Sequence, residues 1–201
     1  MMIAIVDYGA GNIFSVKNAM DYLGLPAELT SKADDIRNAD GIILPGVGAF
    51  PWAMNMLTKS GLVEVIKEEA VKKPFLGICL GMQLIFSKGY EFEETDGLGL
   101  IDGQVRLMAP EGLSIPHIGW NKLEKNRECA LLNGLGDDEY VYFVHSYAAE
   151  CADEDVAAYC EYGSRVTALV NRGTVYGAQF HPEKSGKTGL KILSNFAELI
   201  K

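Results

Sequence analysis

The chain has 201 residues, 48% hydrophobic and 22% charged, proportions of a folded globular protein and not of a disordered tail, a collagen-like fibre or a coiled coil. Its 18 basic against 27 acidic residues leave a net charge of −9, which disfavours nucleic acid or an anionic membrane as the main partner. Apolar stretches such as Gly41 to Met56 carry Gly and Pro and fall short of a membrane span, and no basic segment leads an apolar one as a signal peptide requires.

In chain order, Met2 to Val6 is a short apolar run that predicts a strand buried on both faces. After the loop Asp7 to Asn12, the spacing of Ile13, Val16, Met20 and Leu23 predicts a helix that stops at Gly24. Pro26 to Thr30 and Gly41 to Leu44 read as the next strands, the latter halted by Pro45-Gly46. Helices follow around Trp52 to Lys59 and Leu62 to Lys72. Phe75 to Ile78 is a fourth strand and Leu80 to Phe86 the helix after it. This alternation predicts right-handed β-α-β units and a parallel sheet. The second half differs: Gln104 to Leu107, Glu139 to Val144, Asp155 to Glu161, Val166 to Val170 and Val175 to Phe180 are closely spaced strands, read as an antiparallel extension. An amphipathic helix carrying Leu190, Leu193, Phe196, Ala197 and Ile200 on one face closes the chain. No linker or repeat interrupts it, so residues 1–201 are expected to form a single α/β domain.

Glycines cluster directly after the apolar runs, where they let the backbone turn or approach a ligand closely. Gly77-Ile78-Cys79-Leu80-Gly81, between a strand and a helix, has the form of a nucleophile elbow with Cys in place of Ser. There the thiol would lie near a helix N-terminus, which favours thiolate, and the N–H of Leu80 would face an oxyanion formed by its attack on a carbonyl. A thiol nucleophile needs a base, and His181-Pro182-Glu183 offers one. In an extended segment held by Pro182, His181 and Glu183 would project the same way as base and orienting carboxylate. Both halves would then lie at the carboxyl ends of strands. Cys79, Cys129, Cys151 and Cys160 lack metal-type spacing and are expected to be thiols in a reducing cytoplasm.

Gly77 to Gln83 together with His181 to Glu183 resembles the class I glutamine amidotransferase family. Four further stretches resemble the branch that forms the glutaminase subunits of imidazole glycerol phosphate synthases: Asp7 to Ile13, Pro45 to Phe50, His117 to Asn121 and Tyr142 to Tyr147. The resemblance runs in matching order across nearly the whole chain. It implies a flavodoxin-like three-layer fold and a glutaminase in which Cys79 attacks the carboxamide of L-glutamine, His181 moves the protons and Glu183 orients His181. Leu80, Val47 and Gly48 would form the oxyanion hole, with the Val47 N–H as second donor on a peptide that the glycines at 46 and 48 leave free to rotate. Gln83, His145, Ser146 and Tyr147 would hold the substrate. Asn12, Trp120, Tyr142 and Lys184 would meet a (β/α)8-barrel cyclase in a heterodimer serving histidine biosynthesis. It implies no cofactor and no metal.

One stretch departs from the family pattern, and two residues keep alternative readings. Glu91 to Asp96 is acidic and reads as a solvated loop, and Trp120 lies in what reads as a Gly-Trp-Asn loop, exposed if it anchors a partner and buried if it belongs to the core. His145 is either a substrate group or a strand histidine satisfied by backbone. The rival readings are a stand-alone γ-glutamyl cysteine hydrolase and a non-catalytic regulatory subunit on the same fold.

Overall fold

Four segments without a single exposed residue build the centre of the protein: β1 (Ile3–Val6), β3 (Gly41–Gly46), β4 (Phe75–Cys79) and β14 (Val175–Ala178). With β2 (Ala27–Thr30) they make the parallel part of an eight-stranded sheet in this computed structural model, which describes residues 1–200. The order is β2-β1-β3-β4-β14-β13-β12-β9, where β9 is Glu124–Lys125, β12 Val156–Glu161 and β13 Arg165–Arg172. Strands covered on both faces must be apolar at consecutive positions, and successive side chains go to opposite layers. Thus Ile3 and Ile5 enter one core while Ala4 and Val6 enter the other.

Helices cover both faces. The first core receives Val16 and Met20 of α1 (Ile13–Tyr22) and Ile192, Leu193 and Phe196 of α6 (Gly186–Glu198). The second receives Ile36 of α2 (Ala33–Asn38), Phe50 and Leu57 of α3 (Phe50–Lys59), and Ile66 of α4 (Val63–Ala70). The result is the three-layer α/β arrangement expected, with an antiparallel extension formed by β13, β12 and β9. Among the described residues no helix is long and apolar enough to cross a membrane.

Several local expectations change. The strand at Gly41 does not stop at Pro45: β3 runs through Gly46, because Pro45 and Gly46 lie beside Ile78 and Cys79 of β4. Helix α2 has no sequence signal, because its six residues bury only Ile36, too little for a visible period. The helix at Leu80 is short, α5 (Leu80–Leu84), and the chain reverses into β5 (Phe86–Gly89), whose return is held by the N–H of Leu98 on the Leu84 carbonyl. Of the second-half strands, β14 joins the parallel part beside β4. Two small sheets take others: β8 (His117–Lys122) pairs with β10 (Tyr140–His145), and β11 (Tyr147–Cys151) joins β7 (Ile101–Leu107), β5 and β6 (Thr95–Asp96).

Candidate active site

Cys79 ends β4 and opens α5 with φ +54° and ψ −113°, a conformation uncommon for a side-chain-bearing residue. The bend brings α5 so close to β3 that a Cβ on Gly81 would lie 1.8 Å from the Leu44 carbonyl oxygen, so only glycine fits there. The elbow therefore exists as expected, but the helix behind it has one turn, not two, and the dipole acting on the thiol is correspondingly small.

His181 follows β14, the strand paired with β4, so base and nucleophile leave adjacent strand ends. Its backbone N–H donates to the Tyr142 carbonyl at 3.0 Å. The expected extended His-Pro-Glu segment is instead a 3₁₀ turn over Pro182–Lys184, a position where the fixed φ of proline and its missing N–H suit the start of a helical turn. The turn still delivers the carboxylate: Glu183 Oε1 lies 2.8 Å from His181 Nδ1, with both side chains buried. Burial alone pushes the imidazole down, but the neighbouring Cys79 sulfur and the Glu183 carboxylate outweigh it and raise His181 to about 9, while among the described residues Nε2 has no hydrogen-bond partner. Among the described residues Glu183 Oε2 has no hydrogen-bond partner.

A cleft of about 410 Å³ opens over this pair of strand ends, lined by Cys79, His181, Leu80, Val47, Gly48, Gln83, His145, Ser146, Tyr147 and Lys184. Glu183 supports His181 from behind. Three further lining residues are Glu91, Pro116 and Val144. Glu91 corrects the reading of its segment as merely solvated, since its carboxylate accepts the Phe50 N–H at 2.7 Å at the start of α3. Nothing in the sequence marks that contact, which joins residues 41 positions apart. Glu94 behaves as a surface residue, paired with Lys88.

The strand that would complete the oxyanion hole runs beside the nucleophile, with Gly46 in register with Cys79. Of its two flanking glycines only Gly48 has a positive φ, +99°; Gly46 continues β3 and is hemmed in by Gly81 and by the Tyr8 hydroxyl. That hydroxyl is buried and has no hydrogen-bond partner among the described residues. Gln83 is buried, and its Nε2 donates to the Tyr147 carbonyl and to Gln179 Oε1, each at 3.0 Å.

His145 combines the two alternatives. It lines the cleft, yet Nδ1 lies 2.8 Å from the Tyr147 carbonyl and Nε2 lies 3.1 Å from Nδ1 of the fully buried His117. Burial pushes His145 down to about 4, so near neutral pH the ring is uncharged and its nitrogens are engaged inside the protein. Trp120 is 54% exposed, but on strand β8 and not in a loop. It stands opposite Tyr142 of β10, with ring centroids 6.0 Å apart. Lys184 reaches the cleft. Asn12, just before α1, accepts the Ser15 hydroxyl at 2.8 Å and stays outside the cleft lining.

The other thiols are poor nucleophiles: burial pushes Cys129 up, Cys151 up to about 11 and Cys160 up to about 12. Among the described residues no three His, Cys, Asp or Glu side chains gather as metal ligands.

The sequence pattern of the family described as glutamine amidotransferase class-I matches residues 4–199. Imidazole glycerol phosphate synthase subunit HisH of Bacillus cereus (strain B4264) is 52% identical over 200 residues, covering 99% of this chain and 95% of its own. The same subunit of Bacillus thuringiensis (strain Al Hakam) is 51% identical over 201 residues, again covering 99% and 95%. Among solved structures, PurLQS from Thermotoga maritima superposes with a TM-score of 0.76 at 21% identity, covering 100% of this chain and 99% of that one. A glutamine amidotransferase structure superposes at 0.77 with 21% identity and 98% coverage of each. At such identities the superpositions speak for the fold alone.

Proposed function

The chain belongs to the class I glutamine amidotransferase family, and from that premise we propose that it is the glutaminase subunit of an imidazole glycerol phosphate synthase. Glutamine enters the cleft with its carboxamide at Cys79. The thiolate attacks the carboxamide carbon, and the C–O electron pair collects on oxygen facing the Leu80 N–H and the Val47–Gly48 backbone. His181, as imidazolium, gives its proton to the departing nitrogen. The C–N bond breaks, leaving ammonia and a γ-glutamyl thioester on Cys79. The now neutral His181 takes a proton from water as it adds to the thioester, and collapse releases glutamate and the thiolate. Glu183 holds Nδ1–H throughout, so Nε2 is the nitrogen that faces the reaction. Gln83 and the His145-Ser146-Tyr147 segment hold the amino-acid end of the substrate.

Trp120, Tyr142, Asn12 and Lys184 are the surface for a (β/α)8-barrel cyclase, which would consume the ammonia to form imidazole glycerol phosphate and an aminoimidazole carboxamide ribotide in the cytoplasm. The exposure of Trp120 against Tyr142 supports this, since aromatic residues are enriched at the centres of interfaces and a core residue would be covered. Residues 1–201 act in this reading as one catalytic domain.

The single observation that carries the reading is the buried His181–Glu183 pair at 2.8 Å beside a strained Cys79 elbow, in a chain 52% identical to HisH over its length. The test is the rate of glutamine hydrolysis by the chain alone and with the cyclase subunit of its own organism plus nucleotide ligand. Stimulation by orders of magnitude is expected. Full turnover by the chain alone identifies the stand-alone hydrolase instead.

A further inference from the structure

Gln179 is fully buried between β14 and His181, contributes nothing to the cleft lining, and yet touches both Gln83 and Cys79. Its side chain has no role in the mechanism above. The direction of its hydrogen bonds follows from donor and acceptor counting and needs no assumption about amide orientation. The Tyr147 carbonyl can only accept, so the group that Gln83 turns to it at 3.0 Å must be its NH₂. The same nitrogen lies 3.0 Å from Gln179, which must therefore offer its carbonyl oxygen, because a second NH₂ there would oppose two donors. The remaining Gln179 amide nitrogen then points at Cys79 Sγ, 3.9 Å away. Both N–H groups of Gln83 are consumed inside the protein, and its Oε1 is the one side-chain group left for the cleft.

We infer that Gln179 is a positioning residue of this site, fixing the Gln83 amide so that its oxygen faces a hydrogen-bond donor of the bound amino acid. The inference rests on the glutaminase reading. Without Gln179 Oε1, one Gln83 N–H would be buried unpaired and the Tyr147 carbonyl alone would hold the amide, so its plane would no longer be fixed toward the substrate. Gln179 itself is held by its backbone N–H on the Ala168 carbonyl of β13 at 2.9 Å, so the alignment is transmitted from the sheet.

The test is steady-state glutamine hydrolysis by the wild type, Gln179→Met and Gln179→Glu, each with the cyclase subunit and ligand. Gln179→Met has nearly the same length and no acceptor; KM for glutamine should rise about tenfold or more. Gln179→Glu keeps an oxygen acceptor toward Gln83 in either protonation state, and KM should stay within about threefold of wild type whatever happens to kcat. An unchanged KM in Gln179→Met, or an equal rise in both variants, overturns the inference. If Gln179→Met does not fold, Gln179→Ala and Gln83→Ala with their double variant give the answer: less than additive effects on KM are expected, and additivity overturns it. A wild-type complex that leaves glutamine untouched, or a Cys79→Ala complex that hydrolyses it, defeats the glutaminase reading instead, and no behaviour of the Gln179 variants imitates that result.

Discussion

Glu183→Gln removes one charge from the buried triad at almost constant volume, and the structure sets both the size and the pH dependence of the effect. His181 is raised from 6.5 to about 9 although burial opposes it, the lift coming from Cys79 and Glu183. At about 1.36 kcal/mol per pH unit this is roughly 3 kcal/mol of native-state stabilisation. Because the folded pKa lies above the unfolded one, that stabilisation is complete below about pH 6.5 and is lost as pH rises through about 9. Glu183 supplies part of it, after Cys79. Its replacement carries a second cost: Glu183 Oε2 has no hydrogen-bond partner among the described residues, so an amide NH₂ placed there finds no acceptor, about 1–3 kcal/mol at every pH. Urea denaturation of both proteins at about pH 6 and about pH 10 should therefore give a stability gap larger at the lower pH by part of that roughly 3 kcal/mol. Glutaminase kcat should fall by about 10²–10⁴. A gap that is constant or that grows with pH would refute the assignment of the lift to this carboxylate.

Rotation of the backbone at the oxyanion strand is tested at Gly48, whose φ of +99° turns with the Val47–Gly48 peptide, because a Cβ there meets only the Trp52 ring at 3.7 Å and suffers chiefly from that φ, a strain of about 1–3 kcal/mol. Gly48→Ala should fold and bind glutamine while losing partner-stimulated kcat, and full stimulation in that variant would count against the rotation. Gly46→Ala, by contrast, should be strongly destabilised, since its Cβ would lie 2.8 Å from the Gly81 nitrogen; a melting temperature equal to wild type would contradict this packing. Cys129→Ala, Cys151→Ala and Cys160→Ala should keep glutaminase activity per folded molecule, as burial holds these thiols protonated; inactivation of a folded Cys151→Ala protein would point to a second reactive thiol. Trp120→Ala should weaken cyclase binding by about 2 kcal/mol, roughly thirtyfold in Kd by calorimetry, whereas an unchanged Kd removes Trp120 from the interface.

What was legible in the sequence follows the range of the interactions involved. Ile3 to Val6, Gly41 to Leu44 and Phe75 to Ile78 announce buried parallel strands because continuous apolarity is a local property of a strand covered on both faces. Gly77 to Gly81 announces the elbow because the steric demand falls on neighbouring residues. Pairings across many positions leave no such mark. That β14 sits beside β4 rather than in the antiparallel extension, that Glu91 reaches the start of α3, and that His117 backs His145 are settled by partners 28 or more residues away. Gln179 carried one usable signal, its place two residues before His181 on the same strand end. The 3₁₀ turn at Pro182 shows the opposite failing: proline fits an extended segment and the first position of a helical turn equally well, and only the carboxylate's partner decides between them.

Central to the glutaminase reading is that Cys79 acts in ammonia production and in nothing else. The measurement is imidazole glycerol phosphate synthesis by Cys79→Ala bound to its cyclase, driven once by glutamine and once by an ammonium salt. Synthesis should vanish with glutamine and match the wild-type complex with ammonium. Glutamine-driven synthesis by the variant, or failure of ammonium to restore synthesis in a folded and partner-bound variant, would contradict it.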